Sequence, residues 1–203
     1  MGNVRLGNLL PAIYLIKERL IMSNIEDFRN GIFSLQTRRF GDVAEIMIKK
    51  IYNMSNSNVL NFDKEKDGKR IEVKFSRGLK KNDSIINEYN IVEQCLKGSP
   101  NNRSILSTEA TKYKFDCNIQ QIKNKEFDEL YFGIFFKDVV EIFKITSQEI
   151  ENLSNYSNKQ HRGNVGEGQF HLNQKNIENY RQKYLIRSLT YQELYQILEC
   201  NND

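Results

Sequence analysis

Residues 59–76 read VLNFDKEKDGKRIEVKFS and hold the pattern that decides the fold. Asp67-Gly68 stands between two runs in which polar and apolar residues alternate, and this arrangement predicts a β-hairpin with a two-residue turn. Lys66 then opposes Lys69 across the turn. In every cross-strand pair further from the turn, the two residue numbers add up to the same value as those of Lys66 and Lys69. The register of the whole hairpin is therefore predicted.

This register assigns each side chain to one of two faces. Asp63 is expected opposite Glu72, and Asn61 opposite Lys74, so two carboxylates and one ammonium share a face. The other face is expected to be apolar and to hold Leu60, Phe62, Ile71, Val73 and Phe75.

Two directly opposed carboxylates repel each other, so the predicted pair needs a cation between its members. Mg²⁺ prefers hard oxygen ligands and usually takes one or two protein carboxylates, leaving its other positions to water and phosphate. Lys74 points to the same side and could hold an attacking water or a phosphate oxygen. An amphipathic hairpin with a solvated charged face explains the same pattern, and both interpretations stay open on the hairpin alone.

The composition indicates one folded, mildly basic domain spanning 1–203, with a formal net charge of +4. That charge permits a polyanionic partner. Three widely spaced cysteines give neither a disulfide framework nor a zinc motif, which favours a reducing environment, and we expect a bacterial, cytoplasmic protein. No apolar run is long enough to cross a bilayer, so no membrane association is expected.

The first apolar segment, residues 9–16, is short and is followed directly by Lys17-Glu18-Arg19, which does not fit a secretion signal. Lys-Glu-Arg can be encoded entirely by purines, as in a bacterial ribosome-binding sequence, and stands two codons before Met22. The true start is therefore either Met1 or Met22. We expect residues 1–21 to be dispensable, so that a chain beginning at Met22 folds and keeps its activity.

The remaining pattern predicts an α/β fold with a central mixed β-sheet flanked by α-helices. Helices are predicted at 37–52, at 84–96, in a short segment after Ser147 and near 190–200, and strands at 129–136 and 139–145. The run 129–136 is almost continuously apolar, as expected of a strand covered on both faces. Residues 159–171 are predicted to form a Gly-rich polar loop.

A helix that bears an acid, then Asp63, then Glu72-Val73-Lys74 after eight residues resembles the PD-(D/E)XK nuclease superfamily, and more narrowly its type II restriction endonucleases. The resemblance covers about residues 36–77, and it implies a restriction-endonuclease-like core at about 36–146. It implies that Asp63, Glu72 and Val73 bind Mg²⁺ and that Lys74 assists the attacking water. Phe62 stands where the motif has Pro, a position that varies in the family.

Glu45, the acid on the preceding helix, has two interpretations. The resemblance implies that it binds a second metal or a water, or supports the site. Its position away from the apolar stripe of the helix is equally typical of a solvated charge.

Two groups of residues are predicted to contact DNA. Cations next to the hairpin are suited to phosphate contacts, which position a protein without reading sequence: Arg38, Arg39, Arg77, Lys80 and Lys81. The Gly-rich segment offers polar side chains that suit base recognition or substrate positioning: Gln160, His161, Arg162, Asn164, Gln169 and His171. A surface loop without function would fit this segment too, as would a zinc site from His161, Glu167 and His171, although no fourth ligand is evident.

The sequence thus predicts a Mg²⁺-dependent type II restriction endonuclease acting on double-stranded DNA. A two-fold symmetric substrate is most simply met by a homodimer, and a restriction enzyme needs a cognate DNA methyltransferase in its host, with no stable complex between them. The alternatives are a structure-specific repair or recombination nuclease of the same fold and a non-catalytic DNA-binding protein.

Overall fold

The computed structural model describes residues 9–159 and 165–199, with the side chains of 22–159 and 166–199. The helices are α1 (Leu9–Ser34), α2 (Thr37–Tyr52), α3 (Ile91–Lys97), α4 (Pro100–Arg103), α5 (Ser147–Ile150), α6 (Ile177–Tyr184) and α7 (Tyr191–Glu199). The strands are β1 (Ser55–Asn56), β2 (Lys64–Lys66), β3 (Lys69–Arg77), β4 (Asp116–Ile122), β5 (Glu129–Phe135), β6 (Val139–Thr146), β7 (Ser157–Lys159), β8 (Val165–Asn173) and β9 (Leu185–Thr190).

The central layer is a six-stranded mixed sheet in the order β1-β2-β3-β5-β6-β9. Strands β3 and β5 run parallel, and every other neighbouring pair is antiparallel. All seven residues of β5 are buried, as the continuous apolar run predicts for a central strand. The predicted α/β class with a mixed sheet flanked by helices is confirmed.

Each face of this sheet carries its own core. One face packs against α1, α2 and α7, and Phe33, Met47 and Leu194 are among its buried residues. The other face packs against α6 and a second, three-stranded antiparallel sheet in the order β4-β8-β7. Phe132 and Phe170 meet edge to face across this second interface, with ring centroids 5.2 Å apart.

The predicted hairpin forms with the predicted register but is shorter than expected. Its ladder joins Lys64 to Ile71 and Lys66 to Lys69, and β2 ends there. Because the chain before Lys64 leaves the ladder, alternation no longer assigns its side chains to faces. Leu60 is fully exposed, and Phe62 packs against the cluster around Phe132, on the side of the sheet opposite Val73. The prediction that both lie on the apolar face of the hairpin is wrong.

Two further predictions need correction. Helix α3 begins at Ile91, because asparagine side chains satisfy the backbone before it in place of helical bonds. The Asn90 side chain accepts from the Asn87 N–H, and the Asn87 side chain accepts from the Tyr89 N–H. The predicted loop at 159–171 is instead largely strand, since β8 begins at Val165 and pairs with β4. Residues 160–164 lie outside the described residues.

Candidate active site

The candidate site lies where β2 leaves β3. The Asp63 N–H still donates to the Ile71 carbonyl, but the Asp63 carboxylate then accepts from the Val73 N–H at 2.8 Å. A side chain therefore takes the place of a neighbouring strand at this edge. This contact fixes Asp63 directly beside Glu72 and Lys74.

Glu72 and Lys74 project from the same side of β3 and form an ion pair with each other. The Lys74 Nζ also lies 3.9 Å from the Asp63 carboxylate. All three residues line one cavity of about 270 Å³. The structure thus brings the predicted catalytic triplet together, although Asp63 arrives through a turn and not through a strand.

The electrostatics of this cluster are governed by burial. The pKa of Glu72 is raised to about 7: burial is the largest cause, the Lys74 ammonium opposes the rise, and the Asp63 carboxylate adds to it. For Lys74, burial acts to lower the pKa, but the two carboxylates outweigh it and the pKa is raised. Lys74 is therefore charged at neutral pH, and the Glu72 carboxylate is one that an additional cation would stabilise.

The donor set fits a hard divalent cation. Among the described residues no group of three or more His, Cys, Asp or Glu side chains is arranged to hold a metal. Mg²⁺ needs fewer protein ligands, because it usually keeps several waters. Asp63 and Glu72 supply two carboxylates, and the Val73 carbonyl faces the same edge, since the N–H and C=O of one strand residue point to the same side. Two carboxylates and one carbonyl suit Mg²⁺ better than a soft metal.

Glu45 lies near the site but is engaged elsewhere. Its carboxylate accepts from the buried Lys64 ammonium at 2.7 Å. Glu45 and Asp63 line a second cavity of about 730 Å³ next to the first. The Glu45 charge contributes to raising the pKa of Glu72. Its structural contact is therefore the ion pair with Lys64, from which it acts on the site through its charge.

The predicted phosphate-binding cations separate into distinct environments. Arg77 points into the protein: its guanidinium donates to the Leu35 carbonyl at 2.6 Å and lies 4.0 Å from the centre of the Phe40 ring. This group therefore holds α1 and α2 against β3, and its described contacts lie within the fold. The Lys80 ammonium lies 3.6 Å from the centre of the Tyr113 ring.

The other described residues that are predicted to contact DNA lie at least partly at the surface. Arg38 and Arg39 are exposed in the first turn of α2. Lys81 and His171, distant in sequence, line one cavity of about 430 Å³. Gln169 lies on β8 and accepts from the Asn118 amide. Gln160, His161, Arg162 and Asn164 fall in the stretch that the structure does not describe.

The second sheet contributes residues that sequence reasoning missed. Gln121, Lys123 and Glu167 line the cavity of the catalytic triplet. Gln121 is the extra residue of a β-bulge and has a positive φ of 59°. The alternation in residues 116–120 was the available signal for β4, and the bulge interrupts it. Glu167 and His171 line different cavities, so they do not form the zinc site considered above.

No protein-family model matches the chain, and no curated protein shows significant similarity to it. None of the helices within 9–159 and 165–199 is both long and apolar enough to span a membrane.

Proposed function

We propose that this protein is a Mg²⁺-dependent endonuclease that hydrolyses phosphodiester bonds in double-stranded DNA, of the type II restriction class. The observation that carries the proposal is the convergence of Asp63, Glu72 and Lys74 at the open edge of β3, in one cavity. The sequence resemblance and the mixed sheet with flanking helices agree with it.

Asp63, Glu72 and the Val73 carbonyl are the groups that would hold Mg²⁺. When bound, the ion would lower the pKa of a water and neutralise charge on a phosphate oxygen. The Lys74 ammonium lies within reach of both carboxylates. From there it can orient the attacking water and stabilise the negative charge that develops on the phosphate. The half-buried position of Lys74 strengthens both effects, because water screens it less.

A homodimer is part of this proposal, because cutting both strands of a duplex requires two such sites. The segment 85–96 supports it. Six large apolar side chains in or next to α3 are exposed: Ile85, Ile86, Tyr89, Ile91, Val92 and Leu96. A surface of this kind is typical of a protein–protein contact. A cognate methyltransferase that protects host DNA completes the proposed system.

Digestion of plasmid DNA with Mg²⁺ tests the proposal. We expect discrete fragments whose mapped ends share one sequence. Fragments whose ends share a DNA structure but no sequence would indicate a repair or recombination nuclease, and binding without cleavage would indicate a regulatory DNA-binding protein.

Lys74→Ala should abolish cleavage while DNA binding, measured in Ca²⁺, is retained. Lys183→Ala is the matched control, because Lys183 is an exposed lysine on α6 that makes no ion pair with a described residue. Cleavage that survives Lys74→Ala unaltered would show that the assignment of the site is wrong.

A further inference from the structure

We propose that the outer face of the three-stranded sheet is the surface on which the protein reads duplex DNA. This inference rests on the proposed nuclease function and assigns its specificity to β4 and β8. The inner face of these strands is apolar, and Cys117, Ile119, Phe170 and Leu172 are buried in the core. By alternation the outer face is polar, and at its centre lie Asn118, Gln120 and Gln169.

The two ends of this face meet two different cavities. At one end, Gln121 of β4 and Glu167 of β8 line the cavity of the catalytic triplet. At the other end, Asp116 of β4 and His171 of β8 line the cavity that holds Lys81. Asp116 and Gln121 are five residue steps apart along β4, which corresponds to about 17 Å of strand. At 3.4 Å per base pair this distance spans about five base pairs of duplex.

The far cavity carries more positive than negative side chains: three lysines stand against Asp83 and Asp116, and Asp116 contacts His171 at 2.7 Å. Lys81, Lys114 and Lys175 line it and come from three separate segments of the chain. Lys114 pairs with Asp83 at 3.6 Å. Lys81 and Lys175 make no ion pair with any carboxylate in the described part of the chain. Two ammonium groups at this end of the outer face fit a DNA phosphate. The other end of the face meets the proposed cleavage site.

The centre of the face carries amides in position to contact base edges. The Asn118 amide donates to Gln169 Oε1 at 3.1 Å and to Gln120 Oε1 at 3.4 Å. These contacts leave the NH₂ groups of both glutamines without a described acceptor. Glutamine and asparagine pair with adenine edges, and the major groove admits a pair of β-strands. The geometry therefore points to β4 and β8 lying in the major groove.

Substitution of one phosphate-contacting and one base-contacting residue separates the two parts of the proposal. Fluorescence anisotropy with a labelled random-sequence duplex, in Ca²⁺ so that no cleavage is required, measures general affinity. Lys175→Ala should weaken binding to every sequence alike and reduce the slope of log K against log salt by about 1. Lys183→Ala, at an exposed lysine on α6, should change neither the affinity nor the slope. An unchanged affinity and slope in Lys175→Ala would overturn the phosphate assignment.

Selection of bound duplexes from a random pool, followed by sequencing, measures readout. Gln169→Ala should keep its affinity for the unselected pool and reduce enrichment of the wild-type motif about tenfold, the effect of losing one base-specific hydrogen-bonding pair. Gln192→Ala, an exposed amide on α7, serves as the control. Undiminished enrichment in Gln169→Ala, or a wild type that enriches no motif, would overturn the readout assignment.

Because these measurements detect binding alone, they separate this inference from the nuclease proposal. If the protein cleaves DNA but Lys175→Ala and Gln169→Ala bind DNA as the wild type does, only the inference about the reading surface is overturned. A wild type that binds no DNA would overturn both.

Discussion

Replacement of Glu72 by glutamine should stabilise the metal-free protein at neutral pH while it removes the proposed nuclease activity. The Glu72 carboxyl is buried at the candidate site, where burial and the Asp63 carboxylate both disfavour its charged form. Glutamine has nearly the same shape but carries no charge. The variant therefore isolates the free energy that the protein spends on holding an ionised carboxylate in this position.

The size of the effect follows from the pKa of Glu72, which rises from an ordinary value of 4.5 to about 7. Between these two values the folded state binds more protons than the unfolded state, so ionisation of Glu72 destabilises the fold increasingly as pH rises. The stabilisation that the protonated Glu72 carboxyl contributes is complete below the pKa of the unfolded state. It is lost as pH rises through the pKa of the folded state. With 1.36 kcal/mol for each pH unit of difference, the loss amounts to roughly 3 kcal/mol.

Urea denaturation followed by circular dichroism at about pH 4.5 and about pH 7.5 measures this loss directly. The free energy of unfolding of Glu72→Gln minus that of the wild type should grow by roughly 2–3 kcal/mol between the two conditions. Glu65→Gln is the control, because Glu65 makes no ion pair with a described residue. Added Mg²⁺ should stabilise the wild type and leave Glu72→Gln unchanged. A difference that stays constant with pH, or equal stabilisation of both proteins by Mg²⁺, would refute the reasoning.

Two other predictions concern packing and assembly. A Cβ at Gly133 would lie 2.2 Å from the backbone carbonyl oxygen of Glu141, so Gly133→Ala should destabilise the fold by about 3 kcal/mol. Gly41→Ala on α2, which meets no atom within 4 Å, should stabilise it by about 1 kcal/mol; equal urea midpoints for these two variants would contradict this account of Gly133. Val92→Glu should convert the proposed homodimer to monomers in sedimentation velocity, whereas Ile186→Glu, an exposed apolar residue on β9, should not. A wild type that sediments as a monomer would refute the assembly.

Local signals were sufficient for the elements that position the site. The apolar stripe of α2 predicts Thr37–Tyr52, the bounds that the structure has. The Asp67-Gly68 turn predicts the register of β2 with β3, and the ladder keeps this register as far as Lys64. Both features depend on residues within a few positions of each other, which is why one sequence reveals them.

The other features depend on contacts between distant segments. Arg77 is the last residue of β3 and is basic, but only the packing of α1 and α2 shows that its guanidinium makes contacts within the fold. The alternation of Gln169, Phe170 and His171 indicates a strand, yet the glycines just before it favour a loop. The partner of that strand, β4, is interrupted by its bulge at Gln121. Neither β4 nor β8 can therefore be recognised as a strand of the second sheet from its own sequence.

The contact between Asp63 and the Val73 N–H has a consequence for solubility. An unpaired strand edge is a template for pairing with another chain, and proteins protect such edges with charged side chains. From Glu72 to Arg77, no described strand pairs with β3 on the side of Asp63. At this edge the Asp63 carboxylate accepts the hydrogen bond of the Val73 N–H, and Glu72 and Lys74 place charges beside it. The residues proposed to act in cleavage thus also protect this strand edge from pairing with another chain. Variants that remove them are best compared at low protein concentration.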